Sequence, residues 1–240
     1  MNSNTIDIEV NMPAALPNII VVGAAKSGTT FLHQIFGASH EIFVPEIKEC
    51  RFFSQMPKFS NGSLVMDYQN GGIRQIEEYL ALFAKHSKKF SADISNDYLF
   101  YFERSITEIK KAYSEHGQSL PKIIIILRHP ISRTFSMFAH TKRIGCEPLD
   151  FRDAFNLSQE RINNGYPWSF DLQNFGKSFE CSQAYVNAFE DVLLIPYEML
   201  AGNQDKFLTE LETFIGLSEK LKAPETIINA NAYTETKSKL

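Results

Sequence analysis

Residues 23–32 combine small, hydroxyl-bearing and cationic side chains directly after the apolar run Ile19–Val22. The pattern predicts a strand, a tight loop and the start of a helix, whose first amides point towards a bound anion. The glycines and hydrogen-bond donors of this loop are Gly23, Lys26, Ser27, Gly28, Thr29 and Thr30. Because glycines permit close backbone approach and a lysine adds nothing to a simple turn, we interpret the loop as a phosphate-binding site.

The order of residues in this loop differs from the Walker A motif, in which Gly-Lys-Ser/Thr stands at the helix entrance. Here Thr29 follows Gly28, and Lys26 comes before that glycine. The difference disfavours kinase-type chemistry with a magnesium nucleotide. A P-loop kinase or nucleotide-binding switch stays an alternative class, which would require a Walker lysine and an Asp-terminated strand.

A second anion site is predicted after the apolar run Lys122–Leu127. Arg128 stands where this strand ends, Pro130 suits a helix start, and Ser136 falls within the helix that follows. A forked guanidinium and a hydroxyl can bind one anion together. Arg133 is a weaker candidate for the same site.

Both segments resemble those of sulfotransferases that use 3'-phosphoadenosine-5'-phosphosulfate (PAPS). Their 5'-phosphosulfate loop is similar to the pattern Gly-x-x-Lys-Ser-Gly-Thr-Thr-x-Leu, which residues 23–32 match. Their 3'-phosphate segment, Arg-x-Pro-x-x-Arg-x-x-Ser, is similar to residues 128–136, and the resemblance extends roughly over residues 17–217. It implies that Lys26 holds the 5'-phosphate and the bridging oxygen, and that Arg128 and Ser136 bind the 3'-phosphate.

The resemblance implies transfer of a sulfuryl group from PAPS to a hydroxyl, or less readily an amine, by in-line displacement. The co-substrate would leave as adenosine 3',5'-bisphosphate (PAP). The family commonly closes over the nucleotide with a C-terminal loop rich in Lys/Arg and Gly, for which Lys237 and Lys239 are poor substitutes. A non-catalytic PAPS-binding module therefore stays a third candidate.

Residues 45–53 look like the Lys-Glu-x-x-Phe-Phe segment of glycosaminoglycan sulfotransferases and their bacterial relatives. Sulfuryl transfer needs a base for the acceptor proton and a cation for the leaving oxygen. We expect Glu49 to be the base, Lys26 to stabilise the leaving group and Lys48 to be an accessory cation. Glu46 is the competing carboxylate. The similarity favours a carbohydrate or another hydroxylated metabolite as acceptor.

Residues 92–98 resemble a family segment in which Glu-Lys precedes Ser/Thr and then Tyr. Asp93 and Ser95 fit this pattern, whereas Ile94 replaces the lysine. We expect Asp93 to lie on the acceptor side of the site. Arg51 is a further departure, because the family often has His at that position.

Composition narrows the remaining classes. The chain has 240 residues, 44% of them hydrophobic, and a formal net charge of -4, which disfavours electrostatic binding to nucleic acid. Three scattered cysteines suit free thiols in a reducing compartment, and the histidines lack metal-ligand spacing. With neither a signal peptide nor a membrane-length apolar run, we predict a cytoplasmic protein whose partner is a small-molecule or glycan acceptor.

The elements that must position these residues follow from three unalternating apolar runs, 18–22, 122–127 and 191–196, and a weaker one, 89–94. Such runs are typical of parallel strands buried on both faces. Helical spacing is found in residues 29–38, 75–84, 102–114, 131–142, 151–163, 177–188 and 204–215. Alternation of the two predicts an α/β fold of the P-loop type, with three layers and a central parallel sheet flanked by helices. We expect an N-terminal extension over 1–16 and a single sulfotransferase domain over 17–240.

Overall fold

The computed structural model describes residues 15–57, 59, 72–84 and 86–223. The strands within these ranges are β1 (Ile19–Gly23), β2 (Ile42–Phe43), β3 (Phe90–Ile94), β4 (Lys122–Leu127) and β5 (Val192–Pro196). They form one sheet in the order β2-β3-β1-β4-β5, and every pair of neighbours is parallel. The predicted central parallel sheet is therefore confirmed.

Helices connect the strands. They are α1 (Thr29–Ala38), α2 (Ile76–Phe83), α3 (Phe102–Glu115), α4 (Pro130–Arg143), α5 (Phe151–Asn156), α6 (Ser158–Asn163), α7 (Leu172–Phe175), α8 (Phe179–Ala188), α9 (Tyr197–Gly202) and α10 (Gln204–Ile215), with a short 3-10 helix at Trp168–Phe170. None of the helices in the described ranges is long and apolar enough to cross a membrane.

The core lies on both faces of the sheet, which gives the three layers that the sequence predicts. Ile20 and Ile123 pack into one buried cluster with Tyr113 and its neighbours, while Ile19 and Ile124 pack into another with Phe36. Successive residues of a strand point to opposite faces, so a strand that is buried on both sides has no polar alternation. This is why the apolar runs predicted the central strands.

Three differences from the predicted elements have physical causes. Strand β2 was not predicted, because its two residues are too few to form a period-two pattern. The helix predicted over 151–163 is two helices, with Leu157 between them. Leu16, placed by the sequence in the extension, packs in the core at 4% exposure and donates its amide to Gln118 at 2.8 Å. We therefore propose that the folded domain begins at or before Leu16.

Topology places the candidate site at the carboxyl edge of the sheet. The chain leaves β1 towards β2 and β3 on one side, and β4 and β5 lie on the other side. Ligands of open α/β sheets bind beyond the carboxyl ends of the strands at such a switch point. The two predicted anion-binding segments follow β1 and β4, which are neighbours in the sheet.

Candidate active site

The loop after β1 adopts a conformation that requires its glycines. Gly23 has φ 147°, and a Cβ at this position would lie 2.9 Å from the Cβ of Leu99. Gly28 has φ 95° and is the N-cap of α1, where a Cβ would approach Leu200 to 3.1 Å. A side chain would be strained at both positions. The loop consequently curls closely around the beginning of α1.

The inside of this loop is suited to an anion. The hydroxyl of Ser27 is fully buried and has no hydrogen-bond partner among the described residues. It lies next to the start of the ten-residue helix α1, where amide groups point outward from the first turn. A buried polar atom without a partner is unfavourable unless a ligand completes its hydrogen bond. The loop therefore fits a phosphate group.

Cations converge on Lys26. Burial, together with the positive charges of Arg143, Lys48 and Arg128, lowers the pKa of Lys26 to about 8, whereas Glu49 opposes the shift. Concentrated positive charge of this kind favours the binding of an anion. Of these residues Arg143, the last residue of α4, was not predicted. Its position seven residues after Ser136 places both on one helix face, a spacing that could have revealed it.

Arg128 and Arg133 contact the phosphate loop in different ways. Arg128 donates to the carbonyl of Lys26 at 2.9 Å and lies 4.6 Å from the ring centre of Tyr197. Arg133 is only 3% exposed and donates to the carbonyl of Ala25 at 3.0 Å. It also donates to the hydroxyl of Ser178 at 2.8 Å. Arg133 therefore positions the loop, while the half-buried Arg128 keeps part of its side chain exposed at the same edge.

Ser136 is buried in α4 at 4% exposure. It lies two turns after His129, whose amide donates to Glu198 at 2.9 Å and so ties the start of α4 to α9. The helix is thereby held against the carboxyl end of β4. The contact of Ser136 with a 3'-phosphate stays a prediction.

Glu49 is held from two sides. Asn96 donates to its Oε1 at 2.6 Å, and Arg51 donates to its Oε2 at 2.8 Å. The Nζ of Lys48 is 3.4 Å from Oε1 and donates to the hydroxyl of Thr30 at 2.8 Å. These contacts connect the predicted base to the phosphate loop. With 17% of its side chain exposed, Glu49 retains access to solvent.

Glu46, the competing carboxylate, lies in a different environment. It is exposed and takes part in none of the contacts that join Glu49 to the loop. A base that serves the transferred group has to lie within hydrogen-bond reach of the acceptor hydroxyl. Of the two carboxylates, the structure brings Glu49 to the cationic cluster.

Asp93, near the carboxyl end of β3, lies in the protein interior. It is fully buried and accepts hydrogen bonds from the hydroxyls of Ser95 at 2.7 Å and of Tyr79 and Tyr98 at 2.8 Å each. Burial raises its pKa. The predicted contact with an acceptor would need an exposed carboxylate, so this environment favours a role in fixing the turn after β3.

Asp97 was not singled out by the sequence, yet it is a second buried carboxylate at the same edge. It is 0% exposed, and burial raises its pKa to about 7, against the opposing influence of Ser54 and Arg51. Nothing in the local pattern Ser95–Tyr98 distinguishes it from a solvated turn aspartate. Its burial depends on contacts from other parts of the chain.

Two further predictions can be placed. No cluster of three or more His, Cys, Asp or Glu side chains that could hold a metal ion occurs in the part of the chain that the structure describes. Lys237 and Lys239, the substitutes considered for a closing loop, lie outside the described residues.

Comparisons with known proteins point in one direction. A family model described as "Sulfotransferase family" matches residues 17–220. A solved sulfotransferase from Alicyclobacillus acidocaldarius superposes with a TM-score of 0.76 and 26% identity, covering 90% of this chain and 87% of its own. A comparison with curated proteins found no match.

Two more distant structures share the fold. The sulfotransferase domain from the curacin biosynthetic pathway has a TM-score of 0.51 and 17% identity, covering 85% of this chain and 76% of its own. Mouse sulfotransferase SULT7A1, solved in complex with PAP, has a TM-score of 0.54 and 18% identity, with coverages of 85% and 59%. The P-loop type of α/β fold is therefore confirmed.

Proposed function

The chain belongs to the sulfotransferase family, and we propose that it transfers a sulfuryl group from PAPS to the hydroxyl of a carbohydrate or another hydroxylated metabolite. An amine acceptor is the less favoured alternative. Membership makes the protein a sulfuryl-transferring enzyme. The donor, the acceptor class and the residues that act are the proposal.

One observation supports PAPS as donor above the others, namely the convergence of Arg143, Lys48 and Arg128 on Lys26. The cluster surrounds a loop whose buried Ser27 hydroxyl has no partner among the described residues. PAPS carries a phosphosulfate and a separate 3'-phosphate, and it needs two anion sites. The loop after β1 and the segment after β4 offer two such sites on neighbouring strands.

The mechanism that fits these residues is a single in-line displacement. Glu49 accepts the proton of the acceptor hydroxyl, whose oxygen forms the new bond to sulfur as the bond from sulfur to the bridging oxygen breaks. Lys26 stabilises the negative charge that develops on that bridging oxygen. Lys48, which is held against the loop by its hydrogen bond to Thr30, adds positive charge there. The sulfated acceptor and PAP leave, and Glu49 returns its proton to water.

An open cavity of about 340 Å³ lies at the start of α3. It is lined by Pro57, Phe100, Tyr101, Phe102, Glu103 and Arg104. Aromatic faces pack against flat or sugar rings, and a charged rim can bind hydroxyl groups. We propose that the part of the acceptor that does not react binds here.

Free Cys50, Cys146 and Cys181 are consistent with the proposed cytoplasmic location.

Incubation with ³⁵S-labelled PAPS and separate panels of glycans, phenols, lipid alcohols and amines tests this function. We expect label to move to a hydroxylated acceptor in the presence of a metal chelator, with PAP as the second product. The Lys26→Ala variant, which lacks the cation at the leaving oxygen, is the matched control and should be inactive. Nucleotide binding without label transfer to any acceptor would instead favour a PAPS-binding module.

A further inference from the structure

Asp97 occupies an unfavourable position for a carboxylate. Its side chain is 0% exposed, and neither of its oxygens accepts a hydrogen bond of ordinary geometry from the described residues, since the nearby hydroxyl of Ser54 donates to the carbonyl of Arg51 at 3.0 Å instead. Burying a charged group without a partner is costly, and native proteins rarely retain such groups without a function. The residue lies in the turn after β3, next to Asn96, which contacts Glu49.

Asp93 provides a comparison within the same turn. It is equally buried, yet three hydroxyl groups donate to its oxygens. That arrangement is what stability demands of a buried carboxylate. Asp97 has no such set of donors, so packing alone does not account for it.

The groups that face Asp97 come from three parts of the chain. They are Glu49, Cys50, Arg51 and Ser54 of the segment after β2, Tyr98 and Tyr101 of the turn that contains Asp97, and Tyr185 of α8. Arg51 is the cation among them and favours the ionised form of Asp97, whereas Glu49 disfavours it. The tyrosines and Cys50 add no charge to the surroundings of Asp97.

Arg51 connects this buried carboxylate to the proposed base. Its Nη2 donates to Oε2 of Glu49 at 2.8 Å, and the residue is only 7% exposed. One guanidinium is thus close to two carboxylates that repel each other. Its charge favours Glu49 fully only while Asp97 is neutral.

We propose that Asp97 is a positioning residue whose change of charge sets how firmly Arg51 holds Glu49. The inference rests on the proposed role of Glu49 as the base. When Asp97 is neutral, the attraction of Arg51 is directed to Oε2 of Glu49. When Asp97 ionises, it competes for the guanidinium and frees Oε2 to accept the acceptor proton.

The charge change would take place near neutral pH, because burial raises the pKa of Asp97 to about 7. Turnover should therefore rise as the pH rises through that value. The effect would be a modulation of kcat, since Asp97 lies behind Glu49 and not at the nucleotide. The KM for PAPS should stay constant.

Carbon-13 NMR of the aspartate carboxyl groups, assigned by comparison with Asp97→Asn, tests the charge change directly in the unliganded protein. We expect the Asp97 resonance to titrate with a midpoint near 7. A carboxyl signal that does not change between about pH 5.5 and about pH 8.5 would overturn the inference. This measurement requires no donor and no turnover, so it stands even if the protein does not use PAPS.

The pH profile of kcat tests the consequence. In the wild type, kcat should rise between about pH 6 and about pH 8, on the order of tenfold, a part of what a general base contributes. Asp97→Asn should lose this rise and stay near the lower value, with KM for PAPS within about twofold of wild type. A variant that keeps the rise, or loses activity equally at both pH values, contradicts the proposal.

Two further variants separate positioning from folding. Asp93→Asn removes a buried carboxylate that is fully bonded, so it should lower the melting temperature while keeping the pH-dependent rise. In an Arg51→Lys background, Asp97→Asn should change kcat much less than in the wild type, because the link is already weakened. Equal effects of Asp97→Asn in both backgrounds would exclude Arg51 as the link. A wild type that transfers nothing from PAPS refutes the proposed function and leaves the titration result standing.

Discussion

The guanidinium of Arg128 donates a hydrogen bond to the main-chain carbonyl of Lys26 at 2.9 Å. This contact joins the end of β4 to the loop after β1, so the two segments with predicted anion sites form one surface. A hydrogen bond from a charged donor contributes on the order of 1.5–3 kcal/mol, and less where it is partly exposed, as here. Arg128 therefore has both a structural contact and, in the proposed function, a ligand.

Binding of PAP should be tighter than binding of AMP. In the proposed function, Arg128 and Ser136 donate charge-assisted hydrogen bonds to the 3'-phosphate, so removal of this phosphate should cost at least about 1.5–3 kcal/mol. Calorimetric titration of both nucleotides measures the difference. Ser136→Ala should narrow it while leaving the affinity for AMP nearly unchanged. Equal affinities of the wild type for the two nucleotides would contradict the assignment of the second anion site.

Nucleotide binding should take up a proton at mildly alkaline pH. Burial and neighbouring cations lower the pKa of Lys26 to about 8, so the free lysine is partly neutral at that pH. A bound phosphate favours the charged form and draws in up to about half a proton. Calorimetry in buffers of different ionisation enthalpy measures this uptake, which should vanish near pH 6.5, where the lysine is already charged.

Lys26→Met is the control for this uptake. It keeps most of the length of the side chain without a titratable group, so nucleotide binding should become weaker and its proton uptake should disappear. If the variant takes up as many protons as the wild type, another group changes its charge on binding.

The strand, loop and helix of residues 19–38 could be predicted because their determinants are local. Gly23, Lys26 and Gly28 act within one turn of chain, and the apolar run before them fixes the strand. Arg143 and Asp97 could not be predicted in the same way, because their roles depend on where other segments pack. Arg143 approaches Lys26 only after α4 docks beside β4. Asp97 is buried only after residues 49–56 and α8 cover its turn.

Glu49 and Asp93 also differ in a property that depends on the fold and not on the local sequence. Glu49 and Asp93 were both chosen by resemblance of short segments, and sequence alone did not separate an accessible acid from a sealed one. In the fold, Glu49 retains exposure beside Lys48, whereas three hydroxyls enclose Asp93. Burial is a tertiary property, so residue type and spacing left the two equivalent.

Asp97→Asn should make the protein more stable at alkaline pH. Burial raises the pKa of Asp97 from 3.8 to about 7, so the folded state retains a proton that the unfolded chain has lost. The associated stabilisation is fully present below about pH 4 and is lost as the pH rises through about 7, which leaves a cost of up to roughly 4 kcal/mol at pH 8. Asparagine is neutral at every pH and avoids this cost.

Urea unfolding at about pH 5 and about pH 8 measures this effect. The free energy of unfolding of the variant should exceed that of the wild type at the higher pH and approach it at the lower one. Asp93→Asn is the contrasting variant, since it removes a bonded carboxylate and should be less stable than the wild type at both. A loss of stability in Asp97→Asn at both pH values would show that the carboxylate is satisfied in solution.

Glu49→Gln should lower kcat by about 10²–10⁴-fold, because it keeps the size of the side chain and removes its basicity. Nucleotide affinity should change little, since the base acts mainly in the transition state. Glutamine has one carbonyl oxygen for the donors Arg51 and Asn96, so one of the two contacts is lost, and binding of PAP serves as the check that the loop is intact. Glu46→Gln is the matched control and should retain most activity, because Glu46 is exposed and, unlike Glu49, is not among the charges that shift the pKa of Lys26. An inactive Glu46→Gln beside an active Glu49→Gln would transfer the role of base to Glu46, and full activity of both would place the base outside this segment.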